Sequence, residues 1–371
     1  MSILRLSLKL SGFITALALA ASAEAGLYGF EQAHPMTHEE EILNMNVPPL
    51  NIPNYRDLMR QNINMLIKYA HAQNPDFQIM LHEGEELFEK SVWEYHLDGY
   101  NKARAQGLDT SDPSFLARLN RQSVSKKSNI GTKADSFRRN IDAVVLNNLY
   151  CSQRKADPHI RDLPLKIVSV SQCPNLKTYE EAAALSASEK VLFYGFIRPS
   201  QAFKHILKQP IINENARNIF KISEASNISF LIDDRDYTDK LSMIKDIRNS
   251  NYDIIVINPL FHNRTPFEKD EVDRMKYKKN GAQRLIIAVQ NVSEASAGAY
   301  YWQDEWEIDN PAWLKRLSFS SQEGIITEYW NENWQKIMSE YFKSIILSSY
   351  DGVFFTGAEN HRYFEIQTPL E

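Results

Sequence analysis

The chain holds only two cysteines, Cys151 and Cys173, among 371 residues. That excludes a scaffold built on disulfides and leaves room for a single bridge. Beyond residue 25 no apolar run reaches membrane-spanning length. Neither sign of charge dominates: 42 basic residues face 47 acidic ones, for a net charge of −5. Such a balance lacks the electrostatic footprint of a nucleic-acid binder, and the small basic spot Lys126-Lys127 reads as a solvated loop. Glycine is sparse, with 13 residues, and neither a phosphate-cradling Gly-rich loop nor a Gly-x-Ser-x-Gly elbow is present. His82, His262 and His361 stand singly after apolar runs, without metal-ligand spacing. No metal or cofactor is expected.

The N-terminus does carry a pattern. Arg5 and Lys9 precede an apolar stretch from Leu10 to Ala21, followed by Ala23-Glu24-Ala25. A basic n-region, an apolar h-region and a small-x-small site make a signal peptide over residues 1–25. The mature protein is then expected to be secreted or periplasmic, with no membrane association. The remaining 346 residues suffice for one barrel with insertions or for two ordinary domains.

Residues 26–52 read as an extended arm, and Tyr55 to Ala72 as an amphipathic helix with Met59, Ile63, Leu66, Ile67 and Ala70 on one face. Eight short apolar runs follow, at 77–81, 141–146, 166–170, 191–197, 228–232, 253–257, 285–289 and 352–355. Most are continuous Val/Ile/Leu/Phe stretches, as in strands buried on both faces. Their alternation with helical patterns predicts α/β class and a (β/α)8 TIM barrel over residues 53–371. An open doubly wound sheet is the alternative. Residues 106–138 form one polar insertion.

The last two runs deliver acids and aromatics at their carboxyl ends, where barrel active sites form. Glu294 follows the seventh run and Glu359 the eighth. Tyr300, Tyr301, Trp302 and Trp306 fill the loop between them. Rings that stack on sugar faces, together with carboxylates, suit a polysaccharide or oligosaccharide ligand. The same rings equally suit packing of that loop on the barrel rim.

Several blocks give these positions a context. They are Tyr55-Arg56-Asp57-Leu58-Met59, Asn74-Pro75-Asp76-Phe77, Gly84-Glu85-Glu86-Leu87 and Ile141-Asp142-Ala143-Val144, then Ser293-Glu294-Ala295-Ser296, Tyr301-Trp302, Asn310-Pro311-Ala312-Trp313 and Asp351-Gly352-Val353. In these blocks the chain resembles the endo-α-1,4-polygalactosaminidase type of glycoside hydrolase (family 114), also labelled "cysteinyl-tRNA synthetase related extracellular protein". That family carries the second set before the first. The resemblance therefore implies a circularly permuted barrel starting at what is ordinarily the fifth strand. It also implies action on an amino-sugar polysaccharide of galactosamine type.

Several family positions differ here. Asn258, Thr356, Asn147 and Ser171 stand where the family has acids, Ser296 replaces a glutamate and Ala299 an arginine. Glycoside hydrolysis generally uses two carboxyl groups flanking the bond. Glu294 is the first candidate, with Glu359, then Glu85, then Asp142 as partner. Substrate contacts are expected from Asn258, Tyr301, Trp302, Trp306, Thr356 and Asp142. With so many acids replaced, an inactive barrel that binds glycan or a protein partner is the alternative. Cys151 and Cys173 follow adjacent expected strands, as a bridge or as two buried thiols.

Overall fold

The computed structural model describes residues 52–368 apart from 112–113, 116–117, 119–133, 153–164, 208–209 and 319–323. The expected signal peptide, the arm up to residue 51 and Lys126-Lys127 lie outside the described residues.

All eight expected strands form. They are β1 (Gln78–His82), β2 (Ala143–Asn147), β3 (Lys166–Gln172), β4 (Leu192–Phe196), β5 (Ile228–Leu231), β6 (Ile254–Ile257), β7 (Leu285–Asn291) and β8 (Gly352–Thr356). Every ladder joining them is parallel. The order β4-β3-β2-β1-β8-β7-β6-β5 is that of a barrel, with the first strand paired to the last: Ile79 sits opposite Val353 and Leu81 opposite Phe355. Closure is nearly complete. Among the described residues no ladder links β4 to β5, but the Tyr194 and Phe230 rings meet across that seam at 5.2 Å.

The continuous apolar runs are explained by alternation along each strand. One set of side chains fills the barrel: Met80, Val145, Val168, Tyr194, Phe230, Val256, Ile287 and Phe354. The other set, including Ile79, Val144, Ile255, Ile286 and Val353, packs outward against the helices. Those helices are α1 (Tyr55–Gln73), α2 (Val92–Ala105), α3 (Leu176–Ser188), α4 (Lys240–Arg248), α5 (Lys269–Met275), α6 (Glu332–Leu347) and α7 (His361–Ile366). Asn54 caps α1 through the Asp57 amide at 2.9 Å, and the five apolar residues expected on one face of α1 are all buried. None of the described helices is long and apolar enough to cross a membrane.

Aspartates lock the amino ends of the strands. Asp142, just before β2, accepts the Ile79 amide at 2.7 Å. Asp351, just before β8, accepts the Ile286 amide at 2.8 Å. Cys151 and Cys173 form a disulfide with Cα atoms 4.9 Å apart, joining the segments that follow β2 and β3.

Candidate functional site

The site grows from two strand ends at the carboxyl mouth of the barrel. At the end of β7, the Asn291 side-chain oxygen Oδ1 accepts the backbone amides of Ser293 (3.0 Å) and Glu294 (2.9 Å). This side-chain-to-backbone turn bends the chain sharply off the strand. The segment Glu294–Ser296 then pairs antiparallel with Gly324–Thr327, which pairs with Leu314–Leu317. The resulting small sheet stands over the rim. Beyond β8 the chain turns at Gly357, whose φ of +82° favours glycine. A Cβ there would lie 2.5 Å from Asn291 Oδ1 and 2.6 Å from Ser293 Oγ. The two turns are thus in close contact.

Glu294 is nearly buried and well supplied with donors. Asn360 Nδ2 donates to its Oε1 at 2.9 Å and Asn291 Nδ2 to its Oε2 at 3.1 Å. The Ser318 hydroxyl donates to Oε1 as well.

Glu359 is in a different position. Burial pushes its carboxyl well above the usual carboxylate range, and the nearby charges of Glu294 and Glu83 add to the shift. Among the described residues its Oε2 has no hydrogen-bond partner. Glu83 (φ 51°) and Gly84 (φ 69°) form the corresponding turn after β1, and Glu83 Oε1 accepts the Asn147 amide at 2.8 Å. Three glutamates therefore cluster where β1, β7 and β8 end.

Beside them opens a cavity of about 310 Å³. Its polar lining includes Glu294, Asn258, Asn263, Asn291 and Ser296, and its apolar wall includes Tyr301, Trp334 and Tyr341. Glu294 is the one acidic side chain in this lining among the described residues. Tyr301 accepts the Ser296 amide at 3.1 Å. Burial, chiefly, raises its phenol to about 12, so it stays neutral and able to donate. Among the described residues no group of three His, Cys, Asp or Glu side chains is placed to hold a metal ion.

The expected residues divide accordingly. Glu294, Asn258 and Tyr301 line the cavity. Glu359 is close enough to feel the charge of Glu294 but is not part of the lining. Glu85 opens a 3-10 turn, Glu85–Phe88, and does not line it either. Asp142 belongs to the opposite end of the barrel, where it anchors β1. Thr356 ends β8 without entering the lining, its carbonyl accepting the Val292 amide at 3.0 Å. Trp302 and Trp306 are built into a column of rings. Trp302 meets Trp306 at 5.5 Å, Trp306 meets Trp313 at 5.1 Å, and Trp313 meets Trp334 at 5.8 Å. That column packs the loop on the rim, so the wall of the cavity falls to Tyr301, Trp334 and Tyr341.

Ser171 does not face the barrel interior. It bonds Ser169 at 2.8 Å on the other face of β3 from the interior residues Val168 and Val170. Sequence reasoning missed Glu83, Asn291 and Asn360 as parts of the site. A usable signal existed for two of them: Glu83 lies between a strand and a glycine, and Asn291 ends a strand three residues before an acid.

Among comparisons with known proteins, no family profile matches the chain. A 107-residue stretch is 33% identical to an uncharacterized protein of Methanocaldococcus jannaschii, covering 27% of this chain and 28% of that protein. The chain thus matches little more than a quarter of that curated relative's length.

Proposed function

We propose that the barrel is an exported glycan-binding protein whose cavity at Glu294 takes an amino-sugar chain of galactosamine type without cleaving it. The observation carrying this reading is the cavity lining: one carboxylate, three asparagine amides and aromatic side chains. Amides and a neutral phenol match sugar hydroxyls, and rings match sugar faces. A carboxylate held by Asn291, Asn360 and Ser318 pairs with the ammonium of an unacetylated amino sugar. Glu359, the second carboxyl that hydrolysis would call on, does not line the cavity.

The blocks shared with the polygalactosaminidase type of hydrolase support a common ancestry, with the chain permuted and several acids lost. Calorimetric titration of the mature protein with α-1,4-linked galactosamine oligomers tests the reading. Saturable binding is expected, weakened about tenfold or more in Glu294→Gln, a loss near 1.4 kcal/mol. Fully N-acetylated oligomers should bind more weakly than the free amines. Equal binding by Glu294→Gln and the wild type would refute the ammonium pairing.

One observation favours a second reading, hydrolysis. Burial and the nearby charge of Glu294 raise the Glu359 carboxyl above its ordinary range, and two carboxyls in unlike environments are how acid and base roles are divided. Release of reducing ends by the wild type, abolished in both Glu294→Gln and Glu359→Gln, would establish it.

A further inference from the structure

A second cavity, of about 320 Å³, lies at the other end of the barrel, where β3, β4 and the segment leading into β5 begin. It is lined by Lys166, the first residue of β3, by Lys190, two residues before β4, and by Arg217, Glu224 and Ser226 from the approach to β5. We infer that this cavity is a binding site for a phosphate-bearing small molecule, held by Lys166, Lys190 and Arg217.

The argument is one of unmatched charge. Three cations line one small polar cavity, and none of them has a carboxylate within ion-pairing distance among the described residues. The acids at hand are committed elsewhere. Glu224 accepts the backbone amides of Phe220 (2.9 Å) and Lys221 (3.2 Å). Asp253 is tied to the buried ammonium of Lys278 at 2.6 Å and also accepts from Asn215 and the Ser226 amide. The Arg217 guanidinium is already oriented, with Nη2 donating to Ser226 Oγ at 2.7 Å and to the Glu224 carbonyl at 3.2 Å. Its other N–H groups remain for a ligand.

Burial, followed by the charges of Arg217 and Lys190, lowers the Lys166 ammonium below its ordinary value, against the pull of Asp253. A bound dianion relieves that repulsion. A phosphate monoester supplies the dianion and several acceptor oxygens, and a planar guanidinium flanked by two ammonium groups is a suitable donor set for it.

The test is calorimetric titration of the mature protein at fixed ionic strength, with inorganic phosphate in one arm and a hexose phosphate in the other. Saturable one-to-one binding is expected in at least one arm. Lys166→Met and Arg217→Met should each weaken it about tenfold or more, while Lys279→Met, an exposed lysine outside the cavity, should match the wild type. Tighter binding of the hexose phosphate would identify an organic phosphate as the ligand, and equal binding the free anion. Should Lys166→Met fail to fold, Lys190→Gln with Arg217→Gln replaces it. No saturation in either arm by about 10 mM, or charge-removing variants that bind like the wild type, would overturn the inference. Galactosamine binding at Glu294 is untouched by these substitutions, so the two sites stand or fall separately.

Discussion

The Asn360 side chain donates to Glu294 Oε1 at 2.9 Å and to Ser293 Oγ at 2.8 Å. Ser293 in turn donates to the Gly357 carbonyl at 2.6 Å. One amide thus ties the turn after the last strand to the acid beyond the seventh. Asn360→Ala should cost about 1–3 kcal/mol, because buried acceptors lose their donor. Asn360→Asp should cost more, since it sets a second carboxylate against Glu294. Urea denaturation at neutral pH measures both, and an aspartate variant as stable as the alanine one would contradict this account.

Glu359 sets a pH dependence of definite sign. Its folded pKa lies well above the ordinary 4.5, because burial disfavours the charged form. Folded protein then holds a proton that unfolded chain releases, so this residue's contribution falls as pH rises from 4.5 towards the folded value. Glu359→Gln imitates the neutral acid and removes the effect. The variant should gain on the wild type as pH rises, and denaturation midpoints between pH 5 and 8 would show it. Parallel curves for the two proteins would mean that Glu359 is ionised in the fold.

The tryptophan column predicts a separation of stability from binding. Trp306→Ala should destabilise by about 2 kcal/mol, as expected for a half-buried ring, and change galactosamine affinity by less than about threefold. Tyr301→Phe removes the hydroxyl that accepts the Ser296 amide at the cavity, so it should weaken galactosamine binding and also cost about 1 kcal/mol of stability. Thermal melts paired with titrations decide. Lost affinity in Trp306→Ala at full stability would return that ring to the site.

Joining Cys151 to Cys173 closes a loop with a sequence separation of 22. Loop-closure entropy makes such a bridge worth about 3 kcal/mol. The double variant Cys151→Ser, Cys173→Ser should lose about that much in urea, whereas two reactive thiols in the unfolded, unreduced wild type would rule the bridge out.

Much of this molecule follows from its sequence alone. Runs such as 253–257 and 285–289 are apolar at nearly every position, as expected of strands buried on both faces. Eight of them in alternation with helices point to a parallel sheet, closed as a barrel or open and doubly wound, and Glu294 follows the seventh at the end where sites form. Sequence could not say which strand-end residues converge, because convergence depends on register and on turns. Asp142 precedes its strand by a single residue, and that places it at the opposite end of the barrel from Glu294. Glu359 and Glu83 lie 276 residues apart in the chain, yet β8 pairs with β1 and brings their turns together. Trp302 and Trp306 carry the same chemistry as Tyr301. Only packing against Trp313 and Trp334 decided that they support the loop while Tyr301 faces the cavity. Alternation and composition are local properties of the chain, whereas the meeting of side chains from different strands is settled by closure of the sheet.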